Sequence, residues 1–585
     1  MSTWRAVVAM ARVRLWLYLL SGLLASGVFY IFPLVPGLLV RQFLDMLSGG
    51  ATPGLNLWTP LALLVGASVV RALLLVLGGA SERGLQLVVG TLLRRNALAH
   101  VLRQPGAQPL PASAGEAISR LRDDVQAVGL GLSWMLDPVG QAIIAAITVS
   151  ALLHIDSRLT LAVLAPLILV IIIVRVANAR IRTFRAAAQQ SIGNVTGLLG
   201  EMFGAAQAIK VANAEEHVVD HLRKLNEMRR QAGLADRVFS QFVSSSAANV
   251  ANLGTGVLLF LAARPMRDGR FTVGDFALFV SYIGWLTQIA SMFGQFMTNY
   301  RQMDVSLQRL QALMTGAAPS ALVQHAPLYL RGPLPGWSVS ENSTHDPLLE
   351  IAVEDLTFAY PGTHQGISEV SFRMTRGTFT VVTGRIGSGK TTLLRVLLGL
   401  LPLQSGALRW NGRLVDDPAS LFVPPRSAYT PQVPRLVSES MRDNILLGVP
   451  EDAVDLDRIV HAAVLERDLP DLDDGLDTLV GPRGVKLSGG QVQRVAAARM
   501  FARPAELLVV DDLSSALDVE TERLLWERLL QRRDLTCLAV SHRHAALRRA
   551  DRILLLENGR LLDAGTLVEL LERSLEMRHL WEASA

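Results

Sequence analysis

The stretch GRIGSGKTT, residues 384 to 392, follows the apolar run FTVV and precedes the helical run LLRVLLGLL. Glycines at Gly384, Gly387 and Gly389 let a chain bend so that backbone N–H groups point at phosphate oxygens, and the helix start beyond adds its positive dipole end. In this strand, loop and helix context the spacing is the Walker A pattern. The candidate nucleotide contacts are therefore Gly384, Arg385, Ile386, Gly387, Ser388, Gly389, Lys390, Thr391 and Thr392. Lys390 would reach the β- and γ-phosphates and Thr391 would ligate Mg²⁺. A glycine turn in front of a helix is the alternative, and the apolar flanks argue against it.

Downstream, LLVVDD, residues 507 to 512, reads as a buried strand that delivers carboxylates to its C-terminal end, where α/β sheets bind ligands. Asp511 is the candidate metal ligand, acting through water. A helix N-cap acid is a more credible alternative reading for Asp512 than for Asp511. Between the two elements lies KLSGGQVQRVAAARM, with LSGGQ at Leu487 to Gln491.

With that pentapeptide the chain resembles the ATP-binding cassette (ABC) transporters, whose signature it is. Further motifs of that family follow in order: Tyr360 in FAYPG, Gln432 in YTPQ, SALD at Ser515 to Asp518, and His542 in VSHR. The resemblance implies that Tyr360 stacks on adenine and that Gln432, as the Q-loop glutamine, is both catalytic and a metal ligand. It makes Asp512 and His542 catalytic, and Asp518 part of the D-loop. Ser488, Gly489, Gly490 and Gln491 would hold the γ-phosphate of a nucleotide bound to a second cassette. The implied cofactors are ATP and Mg²⁺. The implied partner is a second half-transporter, because in this family each ATP lies between the Walker A loop of one cassette and the signature of the other.

The family usually has Glu where this chain has Asp512. Shortening the side chain by one methylene withdraws the carboxylate by about 1.5 Å, and a misplacement of about 1 Å can cost roughly 100-fold in rate. The chain's own ATP site is therefore expected to be slow while its signature is intact, which favours one subunit of a heterodimer over a homodimer. Pro482, where relatives often have Glu, points the same way.

The rest of the chain agrees with a membrane protein. Of 585 residues, 50% are hydrophobic and 18% charged, and the apolar ones concentrate in the first 300 or so. The net charge of +5 comes with arginines spread beside apolar segments, which fits a membrane rather than nucleic acid. One cysteine, Cys537, excludes an internal disulfide framework. Six stretches are long enough to cross about 30 Å of hydrocarbon, near residues 15 to 42, 58 to 80, 132 to 154, 158 to 179, 242 to 263 and 275 to 298. The N-terminal apolar run has no small-residue cleavage site and reads as a retained span.

Long connections after the second and fourth spans carry most of the arginines. The positive-inside rule makes them cytoplasmic, with Arg264, Arg267 and Arg270 dissenting. Apolar residues at helical spacing among those charges imply helices that project from the membrane. By resemblance, short helices that meet the cassette fall near 105 to 120 and 200 to 212. The fold expectation is multidomain: an all-α transmembrane domain of six spans (1 to 315), a linker (316 to 348), and an α/β P-loop nucleotide-binding domain (349 to 585).

The expected function is ATP-driven export of a small molecule, lipid or peptide across the inner (plasma) membrane, with the cassette cytoplasmic. An exporter-fold importer and an ATP-gated, non-pumping protein are the alternatives. Gln241, Ser244, Ser245, Ser246, Asn249, Asn252, Gln288, Gln295 and Asn299 are candidates for a polar path or for helix-to-helix hydrogen bonds. Arg71, in the second span, either meets an anionic cargo or snorkels to the interface.

Overall fold

The two halves of the sequence follow different periods and build different structures. The computed structural model describes residues 2–48, 56–106, 113–333, 346–363, 365–482, 484–513, 516–531 and 535–583. One compact unit comprises Met1–Val101 with Leu110–Leu334, the other Leu102–Pro109 with Pro335–Ala585.

The first unit is helical among its described residues. Its long helices include Trp58–Arg103 (46 residues), Ser157–Gly204 (48), Glu215–Ala248 (34) and Val273–Ala312 (40). At 1.5 Å per residue, 46 residues extend about 69 Å, more than twice the hydrocarbon thickness. Arg83, Arg94, Arg95 and Arg103 therefore lie on a continuing helix rather than in a loop.

Four segments among the described residues are long and apolar enough to span a membrane: Leu15–Leu47, Trp58–Arg103, Gly115–Ile155 and Val273–Ala312. The expected spans 158 to 179 and 242 to 263 fall on Ser157–Gly204 and across Glu215–Ala248 and Val250–Arg267. Many of their side chains lie outside the described residues, so the count of six stays an expectation. In Trp58–Arg103, Leu63, Val65, Leu73 and Val76 are exposed and none of its most apolar stretch is buried. A continuous apolar face of that size is stable against lipid, not water.

Local chemistry explains the helix ends and one irregularity. Ala25–Ile31 is a π-helical turn just ahead of Pro33. Proline has no N–H, and its ring crowds the carbonyl four residues back, which favours a widened turn. Asp156 caps Ser157–Gly204 by accepting from the N–H groups of Arg158 and Leu159. Thr272 and Asp275 form a capping box at the start of Val273–Ala312. Arg41 Nη2 lies 2.7 Å from Asp275 Oδ1, and Asp45 Oδ1 accepts from the Gly274 N–H at 3.1 Å. The end of the first long segment is thereby joined to the start of the last.

Several candidate polar-path residues bond within their own helices. Gln241 donates to Ser245, Asn252 to Asn249 and Gln295 to Asn299. The Ser244 side chain lies outside the described residues. Part of the expected linker packs firmly. Asn96 Nδ2 donates to the carbonyls of Leu322 (3.0 Å) and Gln324 (2.8 Å), while Leu322 and Val323 are buried with Leu93 and Ala97. Residues 334 to 345 lie outside the described residues.

The described residues of the second unit form two sheets. β1 (Glu350–Ala359), β2 (Gly366–Thr375), β4 (Ser405–Trp410) and β5 (Arg413–Leu414) form an antiparallel sheet ordered β2-β1-β4-β5. The other sheet is ordered β10-β9-β3-β8-β7-β6. Its members are β3 (Phe379–Thr383), β6 (Ser427–Thr430), β7 (Leu507–Asp511), β8 (Thr536–Val540), β9 (Arg552–Glu557) and β10 (Arg560–Gly565). β3, β7 and β8 are buried at every position, as near-continuous apolar strands of a parallel sheet covered on both faces should be. β3, β6, β7, β8 and β9 run parallel, and only β10 is antiparallel.

Trp526, fully buried on the helix Val519–Leu530, packs against Phe379 with ring centroids 5.3 Å apart. Trp526→Ala is expected to cost about 3–5 kcal/mol. Thermal unfolding of the full chain should show the nucleotide-binding unit melting roughly 10 °C lower. A shift of only about 2 °C would mean that this ring does not anchor the core.

Candidate nucleotide site

Because β3, β8, β7 and β6 are parallel neighbours, their carboxyl ends open on one edge of the sheet. The Walker A loop leaves β3, His542 lies two residues beyond β8, Asp511 ends β7 and Gln432 lies two residues beyond β6. One edge therefore carries residues drawn from more than 150 positions of sequence.

The loop depends on its glycines. Gly384 has φ +144°, and a Cβ there would lie 2.1 Å from the Leu556 carbonyl oxygen. Gly389 has φ +97° and would press on the Gly366 carbonyl at 2.9 Å while it caps the helix Lys390–Leu397 in a left-handed conformation. Lys390 Nζ turns back into the loop, donating to the carbonyls of Gly384 and Arg385, both at 2.7 Å. Burial pushes its ammonium below the ordinary lysine range, and the charges of Asp512 and Asp511 oppose that shift. Ile386 is fully exposed.

Thr391 Oγ1 donates to Asp511 Oδ1 at 3.0 Å, so two groups expected at a metal from positions 120 apart in sequence meet. Burial holds the fully buried Asp511 carboxyl above the usual carboxylate range. The Thr391 hydrogen bond and the Arg395 charge act to lower it, and Asp512 adds to the rise. A buried acid beside a hydroxyl, both hard oxygen donors, fits Mg²⁺. Tyr429, given no role in the sequence reading although it opens YTPQ, also points its hydroxyl at Asp511 Oδ2 at 3.5 Å.

Asp512 has φ +52°, a left-handed conformation that Asp tolerates better than most residues. Its N–H donates to the Val540 carbonyl at 3.1 Å. Gln432 Nε2 donates to Asp512 Oδ2 at 3.4 Å, and Asp512 Oδ1 is buried with no hydrogen-bond partner among the described residues. Among the described residues Asp512 caps no helix, and the N-cap of the next described helix, Val519–Leu530, is Asp518. Tyr360 sits at the site's margin, its hydroxyl 3.4 Å from Thr392 Oγ1 and its ring edge-on to Phe358.

The signature begins a separate helix, Gly489–Phe501. Ser488 and Gln491 form a capping box: Gln491 N–H donates to Ser488 Oγ at 3.3 Å, and Ser488 N–H to Gln491 Oε1 at 2.8 Å. Arg494 grips Asp468 bidentately at 2.7 and 2.6 Å. A Cβ on Gly490 would lie 2.9 Å from the Ala516 carbonyl oxygen, and the Ala516 N–H donates to Gln493 Oε1 at 3.1 Å. Among the described residues no hydrogen bond or ion pair joins 488–491 to 384–392.

Among the described residues, His542 and Asp518 likewise make no hydrogen bond to the other expected site residues. His542 is exposed, and Asp518 caps Val519–Leu530 by accepting from the Thr521 N–H at 2.9 Å. Ser515 lies outside the described residues.

Two family models match in series. Residues 15–290 match the ABC transporter transmembrane region, and residues 367–515 match the ABC transporter family. The chain belongs to the ABC transporters. It is a half-transporter of the exporter kind, a helical transmembrane domain followed by an ATP-hydrolysing cassette. Among its relatives, an "ATP-dependent lipid A-core flippase" of Acinetobacter baylyi is 27% identical over 91% of this chain and 90% of its own length. A "Probable multidrug resistance ABC transporter ATP-binding/permease protein YheI" of Bacillus subtilis is 26% identical over 96% and 93%. The fold is shared with a bacterial Atm1-family ABC exporter solved with ATP bound. The TM-score is 0.76 and the identity 20%, with 98% of each chain covered.

Proposed function

We propose that this ABC half-transporter works with a second half, that it moves a lipid or other amphipathic molecule across the plasma membrane, and that its own Walker site is the slow one of the pair. The observation that carries this reading is Asp512. It stands beside Gln432 where a longer acid would reach the attacking water, while Ser488 to Gln491 retain a well-formed helix start for a partner's γ-phosphate. In this account Lys390 and the loop N–H groups bind the phosphates, Tyr360 faces adenine, Asp512 orients water, and His542 and Asp518 act at the cassette-to-cassette seam. Thr391, Asp511 and Gln432 would hold Mg²⁺, which when bound supplies neutralising charge to the β- and γ-phosphates.

ATP bound between two cassettes favours the closed pair, and hydrolysis removes that preference. The switch in access requires ATP to bind the closed state far more tightly than the open one. The helix Ala206–Val211 falls where the second cassette-facing segment is expected. The first expected segment includes Ala114–Ser119, and residues 107–112 lie outside the described residues. The lipid cargo is supported by likeness to flippases, and a cytoplasmic cassette by the arginine distribution.

The test is reconstitution of the chain, with any co-purifying half, into vesicles containing fluorescent lipids, with ATP supplied on the cassette side. ATP- and Mg²⁺-dependent transfer of label between leaflets, lost in Lys390→Ala, is the expected outcome. ATP binding without net movement of lipids or of an amphipathic dye would identify a gating protein instead.

A further inference from the structure

We propose that the C-terminal helix Leu575–Ala583 is a strap that sets the shape of the ATP-binding loop, with Glu576 as a positioning residue acting through Arg385. Arg385 is the second residue of the Walker A loop. Its guanidinium meets Glu576 in a bidentate pair, Nε to Oε1 and Nη2 to Oε2, both 2.6 Å. Two parallel charge-assisted bonds fix orientation as well as position. Glu576 is well shielded, with its side chain 12% exposed, while that of Arg385 is 64% exposed. The anchor belongs to the helix and the held group to the loop. The guanidinium pulls the Glu576 carboxyl below its ordinary range, so the pair is charged at neutral pH.

The consequence runs through the backbone. The carbonyl of Arg385 accepts from Lys390 Nζ at 2.7 Å, so the residue that Glu576 holds also helps to aim the phosphate-binding ammonium. The same helix also holds a second segment. Trp581 stacks on His544 with ring centroids 3.7 Å apart at 15°, and its carbonyl accepts from His544 Nε2 at 2.9 Å. Arg548 lies over the Trp581 ring at 5.5 Å. His544 is two residues beyond His542, so one nine-residue helix ties the Walker A loop to the segment that carries His542. Met577, buried in the core with Leu570 and Leu547, fixes the helix to the domain.

The inference rests on the loop being the ATP site, and the test separates the two ideas. ATP affinity is measured by displacement of a fluorescent ATP analogue from the full chain in lipid nanodiscs. The variants are Glu576→Gln, Arg385→Gln, the double variant, Glu576→Asp and Lys390→Ala. Glu576→Gln and Arg385→Gln should each weaken ATP binding about fivefold, with the double variant no weaker than either single one. Glu576→Asp should recover part of the loss, and the melting temperature of the nucleotide-free chain should stay unchanged.

Unaltered affinity in the single variants, losses that multiply in the double variant, or a parallel fall in melting temperature would each overturn the strap. Retained binding in Lys390→Ala would instead overturn the reading of the loop. Normal Glu576→Gln binding beside lost Lys390→Ala binding would sink the strap alone.

Discussion

Asp512→Glu is expected to raise the rate of ATP hydrolysis at this chain's own Walker site about 100-fold. The added methylene advances the carboxylate by about 1.5 Å, and a placement error of about 1 Å costs roughly two orders of magnitude. That factor corresponds to about 2.7 kcal/mol of barrier. An opposing term exists. Residue 512 is left-handed at φ +52°, where Asp is comfortable and Glu less so, at a cost of about 1 kcal/mol. That cost falls on stability, because the same backbone is held before and during the reaction by the Asp512 N–H bond to Val540. The variant should therefore be faster and melt slightly lower. Phosphate release measured with saturating ATP and Mg²⁺ checks the first, and thermal unfolding the second. A rate within about threefold of wild type would mean that carboxylate reach does not limit this site.

Lys390→Ala is expected to remove ATP binding at the same site. The ammonium donates at 2.7 Å to two loop carbonyls, and burial lowers its pKa while the charges of Asp512 and Asp511 oppose that shift. Moved onto β- and γ-phosphate oxygens, it makes charge-assisted hydrogen bonds worth about 1.5–3 kcal/mol each. Losing two of them weakens affinity by at least about 100-fold. Fluorescent-nucleotide displacement reads the loss directly. The Thr391 bond to Asp511 lies on the other side of the loop, so the nucleotide-free chain should fold normally. Affinity within about threefold of wild type would show that the loop does not bind through this side chain.

Much of this site was legible in sequence because its parts are local and come in order. Three glycines, a lysine and two threonines within nine residues specify a loop whose geometry follows from glycine's freedom at Gly384 and Gly389. The match of Asp511 to Thr391 was legible because each sits at a strand end or helix start, and parallel strands put those ends together. What sequence could not show is whatever joins distant segments through side chains alone. The pair of Arg385 with Glu576 spans 191 positions, and the stack of His544 on Trp581 spans 37. A lone glutamate near a chain end carries no pattern that names its partner. The same holds for Asn96, a polar residue on an otherwise apolar stretch, which satisfies carbonyls 226 and 228 positions away.

In the membrane unit four of the expected spans fall on described segments long and apolar enough to cross a membrane. The hydrophobic signal stops where lipid stops, however, while the helices continue on charged turns such as RRNALAHVLR. There Leu93 and Ala97 lie in one buried cluster with Leu307 and Leu310, a packing role that a hydropathy scan for spans does not register.

The central claim is that this chain binds ATP well and hydrolyses it poorly on its own. It is tested most directly by the steady rate of phosphate release from the wild-type chain, purified alone in lipid, beside Asp511→Ala. The account predicts a slow rate, falling to background in Asp511→Ala, together with tight ATP binding in the wild type. Brisk, Asp511-dependent turnover by the chain alone would contradict it, establish Asp512 as a sufficient base, and make two copies of this chain a complete transporter.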